Sequence, residues 1–213
     1  MITLLFNPAQ IITVNTKGKN FKRGSELSDL DVLRDHSILV EDGIIKKLIK
    51  NKLLKDTKFD TRIDLTNKVV LPGLVECHTH LVFAGTRSDE FSMRLAGKSY
   101  EEIAKSGGGI NSTVKAVREC SFEDLLKLAM PRVQKFIDQG VTTLEIKSGY
   151  GLSFYDEIKI LQVIKELNAI FAIDIKATFL GAHTFPPEYK NDKNQYIKIL
   201  TKEIMPYIAE KKL

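Results

Sequence analysis

The stretch that most constrains this chain runs from Val69 to His80, Val-Val-Leu-Pro-Gly-Leu-Val-Glu-Cys-His-Thr-His. It is an apolar, β-branched run that stops at two histidines spaced i and i+2. Side chains two apart on a strand project from the same face. A strand here therefore sets the imidazoles of His78 and His80 side by side. Two adjacent imidazoles are half of a metal site, and imidazole suits zinc or iron. If the strand belongs to a βα barrel, its C-terminal end opens onto the active site. A His-Thr-His can also do no more than end a strand. The Leu-Pro-Gly-Leu-Val before it marks a buried strand that halts at the histidines.

Several segments extend the pattern. Leu81-Val82-Phe83-Ala84-Gly85-Thr86-Arg87 follows directly. Ser106-Gly107-Gly108-Gly109-Ile110, Ile146-Lys147-Ser148-Gly149-Tyr150-Gly151 and Thr178-Phe179-Leu180-Gly181-Ala182-His183 come later, in that order. Together with the Val69–His80 run they resemble the imidazolonepropionase family of the metal-dependent amidohydrolases. The likeness runs from about Ile38 to Leu213 and corresponds to the N-terminal half of such an enzyme. One departure is Glu76, where the family more often carries Asp.

The resemblance implies an α/β fold. Residues 1–64 would be a small β-rich domain, half of a β-sandwich completed by the far C-terminus. Residues 65–213 would be the first three βα units of a TIM (β/α)8 barrel. It implies one Zn2+ or Fe3+ per subunit, held by His78 and His80. A further His and an Asp from later strands would lie beyond Leu213, as would the general acid and base. Arg87 would bind a propionate group, and Tyr150 and His183 would contact substrate. The implied reaction is hydrolysis of the cyclic amide 4-imidazolone-5-propanoate to N-formimidoyl-L-glutamate, in histidine degradation. A homodimer is implied at full length.

Composition narrows the alternatives. At 213 residues and 43% hydrophobic the chain has the makings of a globular protein. No apolar run approaches the ~18 residues of a membrane helix. The opening Met-Ile-Thr-Leu-Leu-Phe-Asn-Pro has neither a basic n-region nor a small-residue cleavage site, so no signal peptide is read. Two cysteines, Cys77 and Cys120, exclude a disulfide scaffold and point to a reducing cytosol. The net charge is +5, with Lys46, Lys47, Lys50, Lys52, Lys55 and Lys58 in one loose stretch. Apolar residues interrupt these lysines and no aromatics interleave to stack bases. A solvated face fits better than a nucleic-acid site. The expected partner is a small-molecule substrate, without nucleic acid or membrane.

Read in order, Ile2 to Val14 gives two short strands or one bent one. Thr16 to Asp35 reads as a loop. Ser37–Glu41 and Ile44–Ile49 are strands joined by Asp42-Gly43, a pair suited to the positive φ angles of a tight hairpin. From Val69 the pattern becomes strand, loop, helix. Residues 81–113 form a long connection, which in a compact domain is usually functional. Ser121 can cap a helix whose apolar spacing continues past Pro131, where a bend or interruption is expected, until Gly140 closes it. Val141–Ile146 and Ile173–Phe179 are the next strands. Tyr155–Leu167 and Asn194–Lys212 are the next helices, the last bent or interrupted at Pro206. Strand followed by helix, three times, argues parallel βα units. A closed barrel needs eight, so the front half of a longer enzyme is expected.

Taken without the resemblance, each side chain has a plainer reading. Arg87 can clamp a carboxylate bidentately, or be a surface arginine; Arg94 is a weaker candidate. Tyr150 and His183 follow strands two and three and would face a barrel mouth, or be structural loop residues. Tyr100 is a further possible contact, and His36 reads as a surface residue. The Ser106–Gly109 run lacks the Gly-Lys-Ser/Thr ending of a phosphate loop and reads as a flexible loop over the site. Cys77 precedes His78 and so faces away from it, which argues against a nucleophilic cysteine. Two other functions stay open: another amidohydrolase, of the deaminase or dihydroorotase kind, and a truncated chain that turns nothing over. A third His and an Asp in sequence beyond Leu213 would decide between enzyme and fragment.

Overall fold

The computed structural model describes residues 1–99, 101–102 and 108–213. Tyr100, Ser106 and Gly107 lie outside these. The chain divides into two units, Met1–Pro72 and Gly73–Leu213.

The first unit holds seven strands: β1 (Ile2–Phe6), β2 (Gln10–Ile12), β3 (Val32–Leu33), β4 (His36–Glu41), β5 (Ile44–Lys50), β6 (Thr61–Asp64) and β7 (Val69–Val70). They form a four-stranded sheet in the order β5-β4-β1-β6 and a three-stranded sheet in the order β3-β2-β7. Leu4, Ile38 and Ile49 are buried on the larger sheet. Asp42 and Gly43 make the hairpin turn with φ of 49° and 79°, as the Asp-Gly pair predicts. A polar ring ties the break between β1 and β2 to β4. The Asn7 N–H donates to Ser37 Oγ, Ser37 donates to Asn51 Oδ1, and the Asn51 amide donates to Asn7 Oδ1. Ser37 is fully buried, and the ring satisfies it.

The run from Val69 to His80 is not one strand. Val69 and Val70 pair in parallel with Gln10 and Ile11 of β2, inside the first unit. Pro72 has no N–H to offer a ladder, and the next strand, β8 (Leu74–Thr79), begins the second unit's sheet. Gly73 is required at this junction: a Cβ there would lie 1.9 Å from Thr142 Oγ1.

The second unit is built on β8, β9 (Val141–Lys147) and β10 (Asp174–Thr178), all parallel, in the order β10-β9-β8. Among the described residues its helices include α1 (Ser88–Leu95), α2 (Ile110–Glu119), α3 (Phe122–Asp138), α4 (Phe154–Ile170), α5 (Lys193–Ile199) and α6 (Met205–Lys211). Leu144 and Ile146 of β9 are completely buried against Leu125, Ala129 and Val133 of α3 and Ile160, Leu161, Val163, Ile164 and Leu167 of α4. Alternation puts Glu145 and Lys147 on the other face of the strand. The 81–113 connection thus contains α1 and the start of α2. The sequence hid α1 because Phe91 and Leu95 remain exposed, leaving no apolar stripe to detect.

Two prolines behave differently. Helix α3 is capped by Ser121, whose Oγ accepts the Asp124 N–H at 3.0 Å, and it runs through Pro131 without a break. Pro131 and Lys127 are both exposed, so water can serve the carbonyl whose partner the proline removes. Before Pro206 the chain widens into a π turn, Leu200–Ile204, which joins α5 to α6. The shifted bonding pattern there accommodates the missing donor. Among the described residues no helix is long and apolar enough to cross a membrane.

Candidate active site

Strand β8 ends at Thr79, and its register against β9 is irregular between Glu76 and Thr79. Thr79 re-anchors the end: its Oγ donates to the Glu145 carbonyl at 2.7 Å. The His78 N–H donates to the Glu76 carboxylate at 3.1 Å. With the strand fixed by these bonds, the two histidine ring centroids lie 6.1 Å apart. His78 is exposed and His80 half-buried.

His80 is the hub. Its ring stacks on His183 at 4.8 Å and 14°, and packs against Tyr150 at 4.7 Å. Tyr150 and His183 are themselves 5.7 Å apart. Four of the five residues singled out by sequence thus converge where β8, β9 and β10 end. Burial, then the charges of His183 and His78, hold the His80 imidazole below its ordinary pKa. A neutral ring keeps a lone pair for a Lewis acid. Its Nδ1 is buried and has no hydrogen-bond partner, which marks a donor atom left for something else. Burial pushes the Tyr150 phenol up, with the nearby Arg87 charge opposing. Tyr150 therefore stays a hydrogen-bond donor at neutral pH.

Arg87, the fifth residue, precedes α1. Its Nε and Nη2 both reach Glu90 Oε2, at 2.8 and 2.7 Å, so one carboxylate oxygen takes two guanidinium nitrogens. Glu90 is buried and also accepts the Gly109 N–H at 2.8 Å and the Ser112 hydroxyl at 3.3 Å. The bond from Arg87 foremost, then the Gly109 N–H, hold its carboxyl below the usual range against burial. Glu90 thereby fastens Arg87 to the start of α2. Arg94 is exposed. His36 lies in the first unit, 2.6 Å from the Arg34 carbonyl. Cys77 is exposed on β8; burial raises the Cys120 thiol, which therefore lacks the depressed pKa of a reactive thiol.

Sequence reasoning passed over several groups that build the site. Glu145 and Lys147 form an ion pair on the open face of β9. Burial pushes the Glu145 carboxyl up, and bonds from Lys147, Thr178 and Thr79 outweigh this and leave it lowered. Glu157, in the first turn of α4, is completely buried. It accepts the N–H groups of Gly149 (3.0 Å), Gly151 (2.8 Å) and Leu152 (2.8 Å). Arg118 holds the opposite side of that loop through the carbonyls of Gly151 (2.8 Å) and Leu152 (3.0 Å). The available signal was an acid in a first helical turn just after a glycine-rich turn. Among the described residues no three His, Cys, Asp or Glu come together as a complete metal site.

No family model matches the chain. It is similar to the imidazolonepropionase of Aeromonas hydrophila, 46% identical over 186 residues, covering 87% of this chain and 45% of that one. It is 50% identical over 160 residues to that of Vibrio campbellii, covering 75% and 38%. Against that of Flavobacterium psychrophilum it is 42% identical over 213 residues, covering 100% and 52%. The chain spans about half the length of the curated relatives it matches. Among solved structures, a triazine hydrolase from Arthrobacter aurescens matches with a TM-score of 0.52 at 17% identity, covering 84% of this chain and 35% of that one. The zinc complex of an atrazine chlorohydrolase from the same species matches with a TM-score of 0.51 at 16% identity, covering 83% and 35%. These two likenesses show the fold alone, a mixed α/β chain. At the level of sequence, the chain is a homologue of the N-terminal half of the imidazolonepropionases.

Proposed function

We propose that this chain supplies the front half of an imidazolonepropionase active site. The reaction is hydrolysis of the cyclic amide of 4-imidazolone-5-propanoate to N-formimidoyl-L-glutamate, in the cytoplasm. The observation that carries this reading is His80 packed against both Tyr150 and His183, in a chain homologous to those enzymes. The second unit's parallel sheet is read as the first three strands of a (β/α)8 barrel, and the first unit's sheets as part of a composite β-sandwich.

The residues present fit one Zn2+ or Fe3+. His78 and His80 would hold it, and the unpartnered Nδ1 of His80 is the supporting atom. Such an ion, when bound, polarises the scissile carbonyl and lowers the pKa of a water. The chain's own groups do the binding. Arg87, oriented by Glu90, presents a cation to the propionate. Tyr150 offers a phenol donor, and His183 a ring nitrogen, to the imidazolone. The general acid and base would come from sequence beyond Leu213.

The test is to load the complete protein with zinc or iron and follow the loss of imidazolone propionate absorbance. Turnover is expected, with both metal and activity lost in the His78→Ala, His80→Ala double variant. Absence of turnover in folded, metal-loaded protein would overturn the reading. Stoichiometric metal in the double variant would overturn the ligand assignment.

A further inference from the structure

We propose that Glu157 is a positioning residue for the site: it sets the loop that carries Tyr150 and, through Gly149, fixes which nitrogen of His183 bears the proton. Glu157 is completely buried yet carries a carboxylate, and both oxygens are engaged. Oε2 accepts Gly149 N–H at 3.0 Å, and Oε1 accepts Gly151 and Leu152 N–H, each at 2.8 Å. The Gly149 N–H is thus pinned to Glu157, while the Gly149 carbonyl meets His183 Nδ1 at 3.1 Å. A carbonyl oxygen only accepts, so Nδ1 must carry the hydrogen. In the neutral ring Nε2 is then unprotonated and accepts.

The loop has little freedom to do otherwise. Gly149 sits at φ +104°, and a Cβ on it would lie 2.8 Å from the Leu180 carbonyl and 3.0 Å from His183 Cβ. Leu152 is held in the left-handed region at φ 51°, which a branched side chain rarely adopts, and its N–H is one of the three that Glu157 receives. Arg118 grips the Gly151 and Leu152 carbonyls from the other side. Carboxylate on the amides and guanidinium on the carbonyls together define one loop conformation. Tyr150 lies inside that loop. What His183 recognises rests on the proposed function: an acceptor at Nε2 suits an N–H of the imidazolone ring. The tautomer assignment does not depend on it.

The experiment is nitrogen-15 NMR of histidine-labelled complete protein, with His183 assigned by its absence in His183→Asn. Wild type should show His183 as the Nδ1–H tautomer. Glu157→Gln keeps the shape but offers one acceptor oxygen where two are used, and its NH2 group opposes an N–H. The variant should show averaging between tautomers and at least a tenfold fall in kcat/KM, carried mainly by KM, with metal content unchanged. Leu161→Ala, on the same helix and away from the loop, should lower Tm while leaving the His183 signals and KM in place. An Nε2–H tautomer in wild type overturns the proposal, even if Glu157→Gln fails to fold. So does a His183 spectrum that Glu157→Gln leaves unaltered. If the tautomer responds while wild type turns over no imidazolone propionate, the positioning role stands and the proposed function falls.

Discussion

Tyr196 allows a prediction in which the sign changes with pH. It is 1% exposed, and its hydroxyl donates to the Gly181 carbonyl at 2.7 Å, in the turn that leads to His183. Tyr196→Phe keeps the ring and its packing on Tyr189, 5.4 Å away, and Phe185, 6.1 Å away. It leaves one buried carbonyl without a donor, which costs about 1–2 kcal/mol. Burial foremost, then the charge of Glu157, hold the Tyr196 phenol well above the ordinary tyrosine value. An unfolded tyrosine ionises near pH ~10, and the folded one resists. The folded state therefore retains a proton that the unfolded state releases. Stability from this group is complete below pH ~10 and declines above it, by about 1.4 kcal/mol per pH unit. The phenylalanine variant lacks that slope. Its deficit at pH 8 should shrink by about 1.4 kcal/mol for each unit above pH ~10. Urea unfolding of both proteins followed by circular dichroism at neutral and alkaline pH measures the difference, and the remaining tyrosines and lysines cancel. A deficit that stays constant into the alkaline range would refute the buried phenol. No deficit at pH 8 would refute the bond to Gly181.

Other expectations follow from the same geometry. Arg87→Lys replaces a fork by a point charge, and loss of a charge-assisted bond worth roughly 1.5–3 kcal/mol should lower kcat/KM ten- to a hundredfold; unchanged kinetics would remove Arg87 from the site. Gly149→Ala forces a Cβ to within 2.8 Å of a backbone oxygen at φ +104°, and should destabilise by about 1–3 kcal/mol, read as a fall in Tm. Residues 1–213 expressed alone, with zinc or iron added, should not hydrolyse imidazolone propionate, since among the described residues β8 and β10 each pair on one side only and Leu74 and Val75 are 49% and 65% exposed; turnover near that of a complete enzyme would show that closing the sheet is dispensable.

Much of the fold could be read from local pattern. Asp42-Gly43 named its hairpin, Ser121 its helix start, and Gly140 the end of α3, at φ +85°. These are signals carried by one or two residues whose backbone chemistry leaves few choices. The failures have the same physical origin seen from the other side. Val69 and Val70 look continuous with the strand ending in the histidines because β-branched composition says nothing about which partner a strand will take. Pairing with Gln10 and Ile11, more than fifty residues earlier in the chain, decided it. Helix α1 escaped because its apolar side chains stay exposed. Pro131 and Pro206 read alike in sequence. One leaves its orphaned carbonyl to water and the other is met by a π turn, a difference set by surroundings that a linear pattern does not contain.

The site shows the division more sharply. The members of the cluster could be picked out: two histidines at the end of one strand, a tyrosine and a histidine just past the next two. Their mutual contacts through His80 could not, and neither could the acids that arrange them. Glu90 and Glu157 sit in the first turns of α1 and α4, where acids are common for reasons of helix polarity alone. Read along the chain they are unremarkable surface glutamates. In the fold both are buried, and both accept N–H groups from glycine-rich loops, Gly109 in one case and Gly149 with Gly151 in the other. Glycine permits a loop to approach a ligand closely but does not hold it in one shape. A buried carboxylate supplies the missing constraint, because leaving it with fewer donors is costly. Motifs rich in glycine should therefore be read together with the acids in the first turns of neighbouring helices. In this chain Glu90 joins Arg87 to Gly109, and Glu157 holds the Gly149–Leu152 loop that carries Tyr150.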